Sequence, residues 1–144
     1  MTILFVCTGN TCRSAMAEGI MKKLAAERGL DINVISRGIY ASNGNPASEE
    51  AINALLKLYN IDISRHTSKL LNFSDVENSD VVYVMTENHR NLLITTLENE
   101  ELSGKIKNFS RTDVSDPYMG NKKEYEKCAK ELYKGILKIL KEEV

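Results

Sequence analysis

The eight residues that most constrain this chain lie close to its N-terminus and combine nucleophilic, small and cationic side chains: Cys7, Thr8, Gly9, Asn10, Thr11, Cys12, Arg13 and Ser14. A short apolar run at residues 2–6 precedes them and predicts a buried parallel strand. Apolar residues at helical spacing follow over residues 14–28, and Gly29 ends that pattern. The octet is therefore expected to join a buried strand to a helix N-terminus, where unpartnered N–H groups bind anions.

The side chains of this loop suit an oxyanion ligand. Gly9 and Asn10 tolerate left-handed backbone angles, so successive N–H groups can turn inward. Arg13 can hold two phosphate oxygens with its planar guanidinium. The N–H groups and the positive end of the helix dipole favour the thiolate form of Cys7, to which Ser14 can donate a hydrogen bond. A thiolate in such a cradle predicts nucleophilic attack on phosphorus.

Several familiar alternatives do not fit these residues. The loop lacks the Gly-Lys-[Ser/Thr] ending of a Walker A motif. Four residues separate Cys7 from Cys12, whereas a thioredoxin-type pair has two. Neither His66 nor His89 has a partner at zinc-ligand spacing, so no bound metal or cofactor is expected. Three cysteines, an odd number, without a secretion signal argue against a disulfide scaffold and predict a reducing cytoplasm.

Length and composition indicate one soluble domain over residues 1–144. Apolar residues make up 42% and charged residues 27%, which argues against disorder. The net charge of −1 disfavours a general nucleic-acid or anionic-membrane binder. No apolar run approaches the roughly 20 residues of a membrane span. Because no tail or exposed apolar stripe points to a stable partner, a monomer is expected.

Strand and helix patterns alternate along the rest of the chain. The further segments are predicted strands at 33–36, 80–85 and 105–109, predicted helices at 47–59, 88–97 and 122–142, and a polar loop at 110–121. This alternation predicts an α/β three-layer sandwich around a central, mostly parallel four-stranded sheet. In such sheets ligands bind beyond the carboxyl ends of the strands, where the loop after residue 6 would lie.

The octet matches the C-x5-R-S signature of the low-molecular-weight protein tyrosine phosphatase family, including its inner Gly-Asn and its second Cys. The resemblance extends to Met16-Ala17-Glu18, Ser36-x-Gly38, His66 and Asp116-Pro117-Tyr118. It implies a metal-independent phosphatase that acts on phosphorylated proteins through a phosphocysteine intermediate. In that reading Cys7 attacks phosphorus while Arg13 and the loop N–H groups stabilise the equatorial oxygens.

The resemblance also implies a general acid. Asp116 would protonate the leaving group and then activate the water that hydrolyses the phosphocysteine. Pro117 restricts Asp116 to an extended backbone, which could fix the direction of its carboxylate. Asp113 is the alternative from spacing alone, and the resemblance favours Asp116 because the family's acid precedes proline.

The remaining expected site residues bind substrate or brace the loop. The residues expected at the substrate are Thr8, Gly9, Asn10, Thr11, Cys12, Ser14, Tyr40 and Tyr118. The residues that match loop-bracing positions of the family are Asn10, Ser14, Ser36 and His66. Tyr40 and Tyr118 would wall the entrance and stack on the planar group of the substrate.

Thr11 separates two substrate classes. Family members directed at phosphotyrosine usually carry Ile or Leu there, whereas members that act on phosphoarginine resemble this chain. A hydroxyl can meet guanidinium N–H donors, and an aliphatic wall suits a phenyl ring. Met119 replaces an aromatic common in tyrosine-directed members, and Arg37 replaces a small residue. Phosphoarginine is therefore the expected substrate and phosphotyrosine the alternative. An arsenate reductase is disfavoured because residues 80–100 contain no cysteine.

Two cysteines and one histidine complete the expectations. Cys12 either forms a reversible, protective disulfide with Cys7 or packs beneath the loop, and both readings stay open. Cys128 lies on the apolar stripe of the last helix and is predicted to be core. His89 matches no position of the resemblance and is predicted to lie on the surface.

Overall fold

Unbroken apolar runs at residues 3–6 and 81–84 give the two central strands buried side chains on both faces of the sheet. The computed structural model describes residues 1–144. Its elements, in chain order, are β1 (Thr2–Cys7), α1 (Arg13–Glu27), β2 (Asn33–Gly38), α2 (Glu49–Tyr59), α3 (Phe73–Glu77), β3 (Val81–Val84), α4 (Glu87–Leu97), α5 (Glu100–Ser103), β4 (Ile106–Asn108) and α6 (Lys122–Glu142).

The four strands form one sheet in the order β2-β1-β3-β4, and every pairing is parallel. Phe5 lies at its centre, opposite Ser36 of β2 and Tyr83 of β3. The predicted four-stranded, mostly parallel sheet is confirmed, and the observed sheet is entirely parallel. Its carboxyl edge therefore collects the ends of β1, β2, β3 and β4 on one side of the molecule.

Helices cover both faces of the sheet, which makes the three layers. Ile3 and Phe5 of β1 pack with α1, α2 and α6 in a core of 29 buried residues. Leu4 and Val6 face the opposite way, into a core of 8 buried residues that α3, α4 and α5 close. The alternation along β1 follows from the two-residue period of a strand, in which successive side chains point to opposite faces.

Two short helices were not predicted. α3 begins after Asn72, whose side chain accepts a hydrogen bond from Asp75 N–H in a capping box. α5 begins after Asn99, which accepts from Leu102 N–H. Elements of five and four residues are too short to show helical periodicity. The observed boundaries of several other elements differ from the predicted ones by one or two residues. For example, α2 starts after its cap Ser48 instead of at residue 47.

None of the six helices combines the length and the apolar character needed to cross a bilayer.

Candidate active site

Cys7 is the last residue of β1 and lies at the bottom of a cavity at the carboxyl edge of the sheet. It is buried, and its Sγ lies 2.8 Å from Ser14 Oγ in the first turn of α1. Ser14 Oγ accepts a hydrogen bond from Asn10 Nδ2 at 2.8 Å. The Ser14 hydroxyl proton has two acceptors within reach, Arg37 O at 3.5 Å and the nearer Cys7 sulfur, and donation to the sulfur stabilises a thiolate.

Asn10 is fully buried and connects the loop to three neighbouring segments. Besides Ser14, its Nδ2 donates to Ser36 Oγ of β2 at 2.9 Å. Its Oδ1 accepts from Lys69 N–H at 2.9 Å, and its carbonyl oxygen lies 2.7 Å from His66 Nε2. The structure thus brings together the four residues expected to brace the loop.

The backbone of the loop takes the shape that its sequence allows. Asn10 has a φ of 59°, in the left-handed region that asparagine adopts more readily than most residues. Gly38, at the end of β2, lies against the loop so closely that a Cβ there would be 2.7 Å from Thr8 O and 2.9 Å from Asn10 N. Only glycine fits this contact, which explains the Ser36-x-Gly38 pattern.

Arg13 is buried and its guanidinium is held at three points. Nη1 donates to the carbonyl oxygen of Val114 at 3.0 Å. Nη2 lies 3.4 Å from Thr8 Oγ1 and 3.4 Å from Asp116 Oδ2. A buried arginine with its Nη2 directed at the mouth of the loop is placed to bind anionic oxygens.

The two candidate acids occupy different places. Asp116 lines the cavity of Cys7, and its Oδ1 accepts from Tyr118 N–H at 3.0 Å across Pro117. Asp113 does not line that cavity; its Oδ1 accepts from Glu87 N–H at 2.9 Å at the start of α4. Geometry therefore favours Asp116 as the group that can reach a leaving atom.

The cavity has a volume of about 370 Å³. Its lining residues are Cys7, Thr8, Gly9, Thr11, Cys12, Arg13, Tyr40, Ala41, Ser42, Asn45, Asp116 and Tyr118. Tyr40 and Tyr118 are exposed on its rim, as expected for an entrance. Ser42 and Asn45 were missed, because a polar loop carries no pattern that indicates which of its side chains face a cavity.

A larger cavity of about 460 Å³ lies between α1 and β2. Glu18, Lys22, Asp62 and Lys69 are among its lining residues, and no cysteine is. Of the two cavities, only the smaller one contains Cys7 and Arg13, and it is therefore the candidate active site. No group of three or more His, Cys, Asp or Glu side chains is arranged to hold a metal ion.

The prediction that His89 lies on the surface is wrong. Its side chain is buried, and Nε2 lies 2.9 Å from Thr8 Oγ1 in the loop. Burial, with the nearby charge of Arg13, lowers the pKa of His89 to about 4. Its position could have been inferred from the fold, because Thr86 caps α4 just after β3 ends. The first turn of α4 therefore starts at the same sheet edge as the loop.

All three cysteines are buried, and none is in a disulfide. Cys12 Sγ lies 3.4 Å from Ser48 Oγ and 3.5 Å from Tyr125 Oη, beneath the loop and toward α6. Burial raises the pKa of Tyr125 to about 12, so this hydroxyl is neutral. Cys128 is core, as predicted. Packing of Cys12 is thus observed, while its redox pairing with Cys7 stays a prediction.

Arg37, the departure noted in the sequence, points away from the cavity. Its Nε lies 3.1 Å from Asp75 Oδ2 of α3, and Nη1 donates to Ser36 O at 2.8 Å. It does not line the cavity of Cys7. Arg37 therefore ties β2 to α3 and adds no charge at the entrance.

Sequence comparison identifies relatives over the whole chain. A profile of the low molecular weight phosphotyrosine protein phosphatase family matches residues 2–144. A protein-arginine-phosphatase of Bacillus subtilis is 34% identical over 99% of this chain and 96% of its own length. An arsenate reductase of Staphylococcus aureus is 46% identical over only 84 residues, which are 58% of this chain and 59% of that protein.

Structural comparison agrees with the profile. A low molecular weight protein tyrosine phosphatase from T. tengcongensis superposes with a TM-score of 0.93, at 40% identity and over 98% of both chains. The YwlE arginine phosphatase, in a mutant whose active-site serine is phosphorylated, superposes with a TM-score of 0.91. It is 34% identical over 99% of this chain and 97% of its own.

Proposed function

The chain belongs to the low molecular weight phosphotyrosine protein phosphatase family, and we propose that within it the chain hydrolyses phosphoarginine in proteins. Family membership makes it a hydrolase of phosphoryl groups. The profile spans residues 2–144, which supports the proposal that residues 1–144 work as a single phosphatase domain. The choice of phosphoarginine over phosphotyrosine as the substrate depends on one side chain.

Thr11 is the observation that carries this choice. It is half-buried and lines the cavity of Cys7. A hydroxyl in this wall offers an acceptor to the N–H groups of a guanidinium, whereas a bulky aliphatic side chain would offer only apolar contact to a phenyl ring. The full-length relative named a protein-arginine-phosphatase supports the same assignment.

The first chemical step forms a phosphocysteine. The Cys7 thiolate attacks phosphorus in line, an S–P bond forms, and the bond from phosphorus to the leaving guanidine nitrogen breaks. Asp116 donates a proton to that nitrogen, so arginine leaves with its normal charge. Arg13 and the loop N–H groups hold the three equatorial oxygens, where negative charge concentrates in the transition state.

Substrate binding prepares Asp116 for this step. In this structure its Oδ2 lies 3.4 Å from Arg13 Nη2. Phosphoryl oxygens are stronger competitors for that donor, because they offer a bidentate, doubly charged partner. Once they replace Asp116 at Arg13, its exposed carboxyl is free to turn toward the leaving atom.

The second step regenerates the enzyme. Asp116, now a carboxylate, accepts a proton from water; the water oxygen attacks phosphorus, the S–P bond breaks, and phosphate leaves. Ser14, 2.8 Å from the sulfur, stabilises the thiolate that departs. The related YwlE mutant with a phosphorylated active-site serine supports a phosphoryl-enzyme intermediate for this chain.

Phosphotyrosine is the second candidate substrate. The observation that favours it is the T. tengcongensis protein, which is named a tyrosine phosphatase and is 40% identical. The rim residues Tyr40 and Tyr118 could stack on a phenyl ring or a guanidinium and do not separate the two. Arsenate reduction has little support, because the similarity covers 58% of the chain and residues 80–100 hold no cysteine.

Initial rates on a phosphoarginine-bearing protein and a phosphotyrosine peptide test the proposal, for wild type, Thr11→Ile and Thr11→Ser. We expect wild type and Thr11→Ser to prefer phosphoarginine. Thr11→Ile should shift the ratio of kcat/KM values toward phosphotyrosine by roughly tenfold or more, since the hydroxyl acceptor is lost. Efficient phosphotyrosine turnover and poor phosphoarginine turnover by wild type would make the chain a tyrosine phosphatase with the same mechanism.

A further inference from the structure

His89 is a buried polar residue whose conformation packing alone does not explain. It lies 8% exposed in the first turn of α4. Its only side-chain hydrogen bond joins Nε2 to Thr8 Oγ1 at 2.9 Å, and its Nδ1 is buried without a partner. An apolar side chain of similar size would fill this place without an unpaired nitrogen. The contact with Thr8 is thus what distinguishes histidine here.

Thr8 connects His89 to the arginine of the site. The same oxygen, Thr8 Oγ1, lies 3.4 Å from Arg13 Nη2. Arginine has only donors, so Thr8 Oγ1 is the acceptor in that contact. The opposite edge of the guanidinium is fixed by Nη1, which donates to Val114 O at 3.0 Å. His89, Thr8 and Arg13 therefore form a short chain of contacts that ends at the phosphoryl site.

The unpaired Nδ1 assigns the tautomer. A buried N–H without an acceptor is rarer in proteins than a buried acceptor without a donor. The ring proton is therefore assigned to Nε2, which donates to Thr8 Oγ1. Thr8 Oγ1 then accepts from both His89 and Arg13, and its own proton is left to donate to an oxyanion in the cavity that Thr8 lines.

The charged groups around His89 help to set its protonation state. The charged groups that act on His89 are Arg13, which disfavours an imidazolium, and Asp113 and Asp116, which favour one. Burial, which is the largest cause, and the charge of Arg13 lower the pKa of His89 to about 4, so the ring is neutral near pH 7. A neutral donor can hold Thr8 without repelling the guanidinium beside it.

We propose that His89 is a positioning residue that orients the Thr8 hydroxyl and, through it, the Arg13 guanidinium toward the transferring phosphoryl group. This inference rests on the proposed chemistry at Cys7 and Arg13. It adds the first turn of α4 to the segments that contact the phosphate-binding loop, which include β2 and residues 66–69.

The test compares His89→Leu, which removes the donor, with His89→Gln, which places a neutral amide donor at the reach of Nε2. The substrate is para-nitrophenyl phosphate, whose activated leaving group lets rates of the variants be compared without a protein substrate. We expect His89→Leu to lower kcat by roughly tenfold, with KM little changed, and to raise the Ki of vanadate in parallel. His89→Gln should keep kcat within about threefold of wild type.

A double-mutant cycle with Thr8→Val then separates positioning from packing. If His89 acts through the Thr8 hydroxyl, His89→Leu should change kcat by less than about twofold once that hydroxyl is gone. Thermal unfolding of all variants shows how much each change affects stability. A purely structural histidine would lower stability and kcat equally in both backgrounds, and Gln would not rescue it.

Two results would overturn the inference: wild-type kcat and vanadate affinity in His89→Leu, or equal losses from His89→Leu with and without the Thr8 hydroxyl. Neither result would contradict the proposed function, which is tested separately by wild-type turnover of a phosphoprotein. Conversely, loss of phosphoarginine preference would leave the His89 result on para-nitrophenyl phosphate standing.

Discussion

The base of the active site and its rim differ in how tightly the fold holds them. We call Asn10, Ser14, Ser36 and His66 the base, and Tyr40, Asp116 and Tyr118 the rim. Asn10 and Ser14 are 0% exposed and Ser36 is 2% exposed, whereas Tyr40 is 71% and Tyr118 65% exposed. Every base side chain hydrogen-bonds to another segment of the chain.

This difference assigns the two regions separate tasks. Oxyanion stabilisation requires donors that are oriented before the reaction starts, and a base whose side chains are hydrogen-bonded and largely buried meets that requirement. The rim must admit a phosphorylated side chain of another protein, so its residues stay exposed and exchange partners. Changes at the base should therefore affect stability and all substrates together, whereas changes at the rim should leave stability intact.

The largest expected effect comes from the rim residue that enters the chemistry. Asp116→Asn should lower kcat on phosphoarginine by roughly 10²- to 10³-fold, because the leaving nitrogen loses its proton donor. The thermal unfolding midpoint should hardly change, since the Asp116 side chain is 49% exposed and its ion pair with Arg13 is solvent-screened. Steady-state kinetics and calorimetry on the same preparation measure both.

Asp113→Asn is the matched control, since Asp113 lies in the same loop but contacts Glu87 N–H instead of the cavity. It should keep kcat within about threefold of wild type, because surface changes away from the chemistry have small effects. With an activated aryl phosphate, whose leaving group needs no proton, Asp116→Asn should still release the first equivalent of phenolate rapidly, whereas hydrolysis of the phosphocysteine should stay slow because Asp116 also activates the water. Equal losses in the two variants would show that the loop as a whole, and not the Asp116 carboxyl, matters.

A substitution at one of the four base residues should lower both the stability of the fold and the rate on every substrate. Asn10→Ala removes the bonds to Ser14, Ser36 and Lys69 N–H and places alanine at a φ of 59°. We expect it to lower the free energy of unfolding by about 3 kcal/mol and kcat on every substrate by roughly tenfold or more. Denaturant unfolding and rates on two substrates test the joint loss.

Asn60→Ala is the control for backbone strain alone. Asn60 ends α2 with a φ of 55°, and it lies outside the cavity of Cys7. Alanine there should cost about 1 kcal/mol and leave kcat unchanged. If Asn10→Ala proved no worse than Asn60→Ala, the hydrogen bonds of the base would contribute nothing beyond the conformation of residue 10, and the distinction between base and rim would fail.

The sequence allowed the periodic parts of the fold to be predicted. The predicted and observed bounds of α6 agree because one apolar stripe runs its whole length and Asn121 caps it. The strand-loop-helix unit around Cys7 was predictable because strand pattern, loop chemistry and helix start are contiguous. α3 and α5 were missed because four or five residues cannot show a period.

The parts of the site that depend on contacts between distant segments are harder to predict from the sequence. The contact of His89 with Thr8 joins residues 81 positions apart, and neither residue's local sequence indicates it. Ser42 and Asn45 face the cavity only because the end of β2 packs against the loop. The resemblance favours Asp116 over Asp113, and the path of residues 110–121, which no sequence pattern indicates, brings only Asp116 of the two to the cavity.

The smallest expected effect is at the outer rim. Tyr118→Ala should raise KM for a phosphoarginine-bearing protein by roughly threefold to tenfold, because stacking on a guanidinium contributes about 1 kcal/mol at an exposed site. Its kcat and unfolding free energy should stay near wild type, since Tyr118 is 65% exposed. Tyr118→Phe should retain the stacking, and Met119→Ala, a neighbour that does not line the cavity, should have no effect. A fall in kcat or in stability for Tyr118→Ala would place this residue with the base, and the boundary between the two regions would then run outside the tyrosines.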